Sequence, residues 1–257
     1  MFKVVGIQHR DPSLNNFFFY YSQDGNIVGI LADWDVASSK EDLALLRDGV
    51  DKAERPEEGS DVPTLAPEGD GNPTSEDNSK VRDVTVEHRP RYRTGTGPFM
   101  ALDLLATTKI VHRYRHDLES FFYILCYFCA QFRPSAPDNP KAYFAYLHGW
   151  ESGNIKQVHS TKYAFLESHE NAFDALFKEA NEAYLPLLEQ WIWPLYSEMF
   201  MHVTGFAGKL EKNYGRLEPA RRRNDHKLEE QFMKKFRHTA DKADALLTYE
   251  KFQSLIS

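Results

Sequence analysis

His9-Arg10-Asp11-Pro12-Ser13-Leu14-Asn15-Asn16 runs straight into Phe17-Phe18-Phe19-Tyr20-Tyr21, then Ser22-Gln23-Asp24-Gly25-Asn26, then Ile27-Val28-Gly29-Ile30-Leu31-Ala32, and ends on Asp33-Trp34-Asp35. Five consecutive aromatics fit a pleated strand. Gln23-Asp24-Gly25-Asn26 is a turn signal, and Asp-Gly is among the strongest for reversing a strand. Ile27 to Ala32 is the returning strand. Residues 16–36 therefore read as a β-hairpin that delivers Asp33-Trp34-Asp35 at a strand end.

Outward from the hairpin, composition bounds the rest. Hydrophobic residues make up 42% of 257, with 18 Phe, 13 Tyr and 4 Trp, which is enough apolar area for a globular core. The formal net charge of -7 argues against a general nucleic-acid binder. Cys126 and Cys129 are the only cysteines, so no disulfide framework is implied and an intracellular home, cytoplasmic or nuclear, is expected. Met1 to Gln8 shows no extended apolar region and no small-residue cleavage site, so no signal peptide is read. Phe121 to Phe132, interrupted by Gln131, is the longest apolar run and too short to span a bilayer, so no membrane partner is expected. From Glu54 to Asp77 there are eight acidic residues against one basic, and Val62 and Leu65 are the only bulky aliphatics. Such a stretch buries too little to order itself, so 38–90 reads as a long, acidic, disordered insert.

Helical patterns fill the remainder. Asp117 to Phe132 is apolar on nearly every face, the mark of a helix buried all round. Asp117 suits its N-terminus, and Arg133-Pro134 ends it. Lys141 to Leu147, Thr161 to Ser168 and Asn171 to Thr204 are also helical, the last broken near Pro186 and Pro194. Beyond Lys209 the composition is mixed in charge, with Arg221-Arg222-Arg223 its densest basic patch. Leu228, Phe232 and Phe236 recur at helical spacing, as do Ala243, Leu246 and Leu247, giving a helical C-terminal tail over 208–257. No internal repeat is visible.

Candidate chemistry lies in His9 to Asp35. Phosphoryl transfer needs a carboxylate to orient the attacking hydroxyl and accept its proton, and oxygen ligands to hold Mg²⁺ against the phosphates. Asp11 with Asn16 five positions on supplies the first and part of the second, and Asp33 supplies the rest. Downstream stands Arg93-Thr94-Gly95-Thr96-Gly97-Pro98-Phe99-Met100-Ala101-Leu102-Asp103-Leu104-Leu105, followed by Tyr114-Arg115-His116-Asp117-Leu118-Glu119-Ser120-Phe121-Phe122. In this order the four motifs resemble a protein kinase: its catalytic loop, its metal-binding strand end, its substrate-binding loop, and the Asp-led central helix of its large lobe. The Ser in the catalytic loop, Asp-Trp-Asp, Arg-Thr-Gly-Thr with Phe-Met, Arg-His-Asp-Leu-Glu-Ser-Phe and the closing Thr248-Tyr249-Glu250-Lys251-Phe252 resemble the fungal-type protein kinase family in particular. The resemblance runs from about His9 to the C-terminus, with the acidic stretch as an insert in the activation segment.

The resemblance implies an α+β, mainly α fold: a protein-kinase-like large (C-terminal) lobe with a short β-hairpin near the N-terminus and the small lobe absent. It implies serine/threonine phosphotransfer from Mg-ATP to a protein hydroxyl. Carried over residue by residue, Asp11 would be the catalytic base. Asn16 would hold Mg²⁺ and steady the catalytic loop, and Asp33 would hold Mg²⁺ between the phosphates of ATP. Thr96 would sit near Asp11 and place the substrate hydroxyl. Asp117 would cap the buried helix and bond catalytic-loop backbone. Arg10 would partner a phosphate on the activation segment, with Ser38, Ser39 or Thr94 as acceptor sites.

The departures from the wider kinase pattern are specific. Ser13 stands where many serine/threonine kinases have a Lys that contacts the γ-phosphate. Asp35 replaces a Gly, removing freedom for φ > 0 at that position. Trp34 replaces Phe, and Leu102-Asp103 replaces Pro-Glu. Upstream of His9 there is room for neither a glycine-rich loop nor a strand Lys. Gly69-Asp70-Gly71 and Gly95-Thr96-Gly97 lack the required third Gly. Positioning is most of what a kinase contributes, so little or no activity is expected from these residues alone.

Other features have plainer readings. Cys126 and Cys129 lie within an apolar helix and read as two buried thiols. His112, His116 and His148 lack metal spacing and read as structural or surface residues. Arg221-Arg222-Arg223 reads as a solvated face rather than a localisation signal. Two functional readings stay open. One is a kinase that acts on a protein substrate. The other is a non-catalytic kinase-like docking or scaffold module that binds a protein partner. Oligomeric state is not legible.

Overall fold

The structure is a computed structural model that describes residues 6–39, 95–106, 110–132, 145–168 and 170–257. The acidic stretch from Glu54 to Asp77, the 38–90 insert beyond Ser39, Arg93-Thr94, Arg133-Pro134 and the start of the Lys141 to Leu147 pattern lie outside the described residues. Among the described residues the fold is mainly helical with two small sheets.

The first sheet pairs β1 (Ile7–Gln8) with β4 (Ser38–Ser39), antiparallel, Ile7 opposite Ser39 and Gln8 opposite Ser38. The second is the expected hairpin, β2 (Phe17–Tyr21) with β3 (Ile27–Leu31), registered from Phe17 opposite Leu31 to Tyr21 opposite Ile27. Its turn closes where Gly25 N–H donates to the Ser22 carbonyl at 2.9 Å and Ser22 N–H to that of Asn26 at 2.8 Å. The hairpin sits inside the loop that β1 and β4 close. That outer pairing left no sequence signal, because a two-residue strand shows no periodicity.

Helix α1 (Leu102–Ala106) leads into α2 (Tyr114–Gln131). Helix α2 begins three residues before Asp117, which corrects the expected N-terminus. Arg113 is the capping position, and its N–H donates to His116 Nδ1 at 2.9 Å, one half of a capping box. Asp117 is therefore free of its own helix end and serves another segment. Helix α2 is buried on most of its faces but not all round: Leu118, Phe122, Tyr123, Cys126, Cys129 and Ala130 are buried, whereas Phe121, Leu125, Tyr127 and Phe128 are half-buried. Phe122 stacks on Phe200 at 4.4 Å between centroids, and Tyr123 meets Trp150 edge-on at 5.2 Å. Full burial of one such ring is worth roughly 1.5–3 kcal/mol, so α2 is the spine of the core.

Around it pack α3 (Ala145–Trp150), α4 (Ile155–Glu167) and α5 (Glu170–Glu179). Gly149 allows the close contact of α3 with α4, since a Cβ there would lie 2.2 Å from Thr161 Oγ1. Pro186 and Pro194 divide the next stretch as expected, into α6 (Leu185–Leu187), a π-helical turn (Leu188–Ile192) and α7 (Trp193–Glu198), with each proline in a first turn. The tail is α8 (Val203–Arg222), α9 (His226–Leu246) and α10 (Tyr249–Leu255). Helices α8 and α9 pack side by side, and α8 also covers α1 and α4. Beneath them lies a second core of Met100, Ala101, Leu104, Leu105, Ile110, Val158, Leu210 and Ala240. No helix among the described residues is long and apolar enough to cross a membrane.

Candidate functional site

The site is assembled around Asp117, which is 4% exposed. Its Oδ2 accepts from His9 N–H at 3.0 Å, and its Oδ1 accepts from Arg10 N–H at 3.1 Å and from His112 Nε2 at 2.9 Å. Three donors on one buried carboxylate satisfy its charge and nail the His9-Arg10-Asp11 backbone to the first turn of α2. His9 is held at both ring nitrogens. Nε2 donates to the Ala32 carbonyl at 2.8 Å, which leaves Nδ1 to accept Asp11 N–H at 3.3 Å. His9 thus ties the loop before the hairpin to the strand end after it.

Asp11 projects from that anchored loop and is half-buried. Its Oδ1 accepts both Thr96 N–H at 2.7 Å and Thr96 Oγ1–H at 2.9 Å. Gly95 makes this approach possible: its φ of +124° is strained for any side chain, although a Cβ there would make only ordinary contacts with the Met100 side chain and the Arg10 carbonyl. Thr96 then starts a tight turn in which its carbonyl accepts Phe99 N–H and Met100 N–H, both at 2.9 Å.

Asn16 is 8% exposed and donates Nδ2–H to the Asp11 carbonyl at 3.1 Å, while its own carbonyl accepts Ala32 N–H at 2.8 Å. Asp33 is the next residue and is exposed. The structure thus brings Asp11, Asn16, Asp33 and Thr96 into one neighbourhood. Trp34 closes it from below, with its ring edge-on to His9 at 4.5 Å and its Nε1–H on the Leu31 carbonyl at 2.7 Å. Arg10 and Asp33 carry φ of 72° and 62°, a left-handed backbone that costs about 1–3 kcal/mol per non-glycine residue. The left-handed position therefore falls on Asp33, two residues before Asp35, where the missing glycine drew attention. Arg10 is buried, and its Nη1 donates to Ser38 Oγ at 2.7 Å. Ser39 pairs in β4, and Thr94 lies outside the described residues.

Two buried charge clusters join residues of the downstream motifs to Arg113, Lys162 and Asp244, which lie outside any motif. In the first, Arg115 bonds Asp103 through Nη2 and Asp244 through Nε at 3.0 Å, and Arg113 Nη1 bonds Asp244 as well. His116 Nε2 lies 3.0 Å from Asp103 Oδ1 and 3.2 Å from Oδ2, with the better-angled bond to Oδ2. Burial raises the Asp103 pKa, but Arg115 and His116 beside it outweigh that and hold its carboxyl well below the usual range. Burial pulls His116 down to about 3, so it is neutral, its Nδ1 accepting Arg113 N–H and its Nε2 donating to Asp103.

In the second cluster, Glu119 Oε1 accepts Leu102 N–H and Tyr123 Oη–H, both at 2.8 Å. Lys162 Nζ donates to the Met100 carbonyl at 2.6 Å and lies 3.7 Å from the Tyr123 ring centroid. Neither Glu119 nor Lys162 has any exposed area. Burial lifts Glu119 to about 7 and draws Lys162 well below its ordinary value. Val158, Lys162, Phe165 and Leu166 share one helical face, which is the signal by which Lys162 could have been read as buried.

Residues 74–129 match the fungal protein kinase family. The matched stretch takes in Thr96, α1 and most of α2, and so Thr96, which bonds Asp11, and Asp117, which bonds the His9 and Arg10 backbone, together with Asp103, Arg115 and Glu119. Asp11, Asn16 and Asp33 lie outside it. The fungal kinase match thus covers Thr96 and Asp117 but not the loop they bond. Comparison with curated proteins and with solved structures gives no match.

Proposed function

We propose that this kinase-like chain forms a large lobe built to present a serine or threonine hydroxyl of a protein for phosphoryl transfer from Mg-ATP, with little turnover expected from these residues alone. The observation that carries the reading is the convergence of Thr96 N–H and Oγ1–H on Asp11 Oδ1, with Asp117 fixing the backbone behind. Both Thr96 bonds fall on Oδ1, so Oδ2 would accept the substrate proton as the hydroxyl attacks. Little covalent chemistry is asked of the protein in such a reaction, and holding one carboxylate in place is what it contributes.

Asn16 and Asp33 fit Mg²⁺. Both offer oxygen, the exposed Asp33 carboxylate is open to a ligand, and Mg²⁺ is commonly held by one or two protein oxygens plus phosphates and water. Among the described residues no group of three or more His, Cys, Asp or Glu could hold a metal, so those two residues would be the protein's share. The ion would neutralise charge on the phosphates.

A second reading, a docking module without turnover, is favoured by one observation. Phe18, Phe19, Tyr20, Tyr21 and Ile27 are all at least half exposed beside the site, an apolar surface suited to covering by a partner. The experiment that tests the first reading is thermal unfolding with Mg-ATP, with Mg²⁺ alone, and with Asp33→Ala. At ligand about 100 times its dissociation constant, binding adds roughly 2.7 kcal/mol, about 5–10 °C for a domain of this size. A shift that needs ATP and disappears in Asp33→Ala supports phosphotransfer. No shift in a folded sample leaves the docking module.

A further inference from the structure

We infer that Lys162 and Glu119 are positioning residues that clamp the far end of the Thr96–Leu102 segment and so set how Thr96 meets Asp11. The inference rests on the reading of Asp11 and Thr96 just proposed.

The segment is held at both ends. At its start, Thr96 bonds Asp11 twice. At its end, Lys162 takes the Met100 carbonyl and Glu119 takes the Leu102 N–H. Between them lies only the turn in which Met100 N–H donates to the Thr96 carbonyl. A shift of Met100 is therefore passed to Thr96 through the hydrogen bonds of that turn and four peptide units. The two clamping side chains are coupled through Tyr123, whose hydroxyl donates to Glu119 and whose ring faces the Lys162 ammonium. Trp150 adds a second ring, 5.5 Å from Nζ.

An apolar residue would fill this place at less cost. A buried ammonium is expensive to desolvate, and a Met of similar shape is often neutral or stabilising in such a setting. What the ammonium supplies and a thioether does not is the bond to Met100. A purely structural role and a positioning role thus make opposite forecasts for Lys162→Met.

The test is amide hydrogen exchange of the whole chain, read at Thr96 and Met100 and, for reference, in α2 and α8. In Lys162→Met, exchange at Thr96 and Met100 should speed up at least about tenfold, the scale of losing one charge-assisted bond, while α2 and α8 hold or slow. Glu119→Leu, which deletes the acceptor of Leu102 N–H, should do the same, and Glu119→Gln, which keeps an oxygen there, should not. Thr96 and Met100 within about twofold of wild type in Lys162→Met overturns the inference, as does a uniform loss of protection in both variants. The readout needs no nucleotide. Failure of the phosphotransfer reading alone would show as an absent Mg-ATP shift with Thr96 exchange still accelerated in Lys162→Met, and failure of the clamp alone as a Mg-ATP shift with Thr96 exchange in that variant unchanged from wild type.

Discussion

Glu119 is a carboxyl whose charge the fold opposes. Burial, aided by the Asp103 charge, raises it from 4.5 to about 7. A carboxyl raised on folding contributes stability that is fully present below its unfolded pKa and is lost as pH rises through the folded one. Its contribution should therefore fall between pH 4.5 and about 7, by on the order of 3 kcal/mol. His116, lowered by burial from 6.5 to about 3, works in the opposite sense, with its contribution lost as pH falls below 6.5. The two overlap, so wild type alone would show a muted profile. Subtracting urea-unfolding free energies of Glu119→Gln from those of wild type at pH 5 and pH 7.5 isolates the Glu119 part, and a flat difference would refute it. The residues whose roles were legible in the sequence were those to which the resemblance assigns one. Asp11, Asn16 and Asp33 are spaced along one loop and hairpin, and Thr96 follows a glycine in a recognisable run. Glu119 and Lys162 were not legible, because each acquires its meaning only when α2 and α4 pack. A lysine in a helix is most simply read as solvated.

Among elements, the decisive contact is between α9 and the start of α2. Asp244 gives one carboxylate to both Arg113 and Arg115, and Arg115 passes the link to Asp103 in α1. Asp244→Ala leaves the buried Arg115 with Asp103 alone and should destabilise the chain by about 1–3 kcal/mol in urea unfolding. Asp241→Ala removes a carboxylate that is 69% exposed and should cost no more than about 0.5 kcal/mol. Equal effects would mean that α9 is held by apolar packing instead. The hairpin was readable because an aromatic run, an Asp-Gly turn and an aliphatic run agree at each position. Helix α4 starts at Ile155, ahead of the expected Thr161, because Asn154 caps it by accepting Lys156 N–H at 3.0 Å. The capping residue was in the sequence, but the polar first turn that follows hid the helix from an apolar count. The β1 and β4 pairing was invisible, since it is set by what lies between two dipeptides.

For the molecule as a whole, the mainly helical architecture followed from apolar periodicity, whereas the direction of the apolar surface did not. The exposed hairpin should dominate solution behaviour. Phe19 is 65% exposed and Tyr21 67%, with their rings edge-on at 6.0 Å. Phe19→Ser with Tyr21→Ser should leave thermal stability within about 0.5 kcal/mol while sharply lowering hydrophobic-dye binding and self-association by light scattering. A large stability loss instead would place those rings in the folding core.

Both borders of the interval 40–94 touch Arg10. On one side Ser38 Oγ accepts its guanidinium, and on the other the Cβ position of Gly95 lies 3.6 Å from its carbonyl. The described residues on either side of that interval are therefore fastened to one residue, as two ends of a belt meet at one buckle.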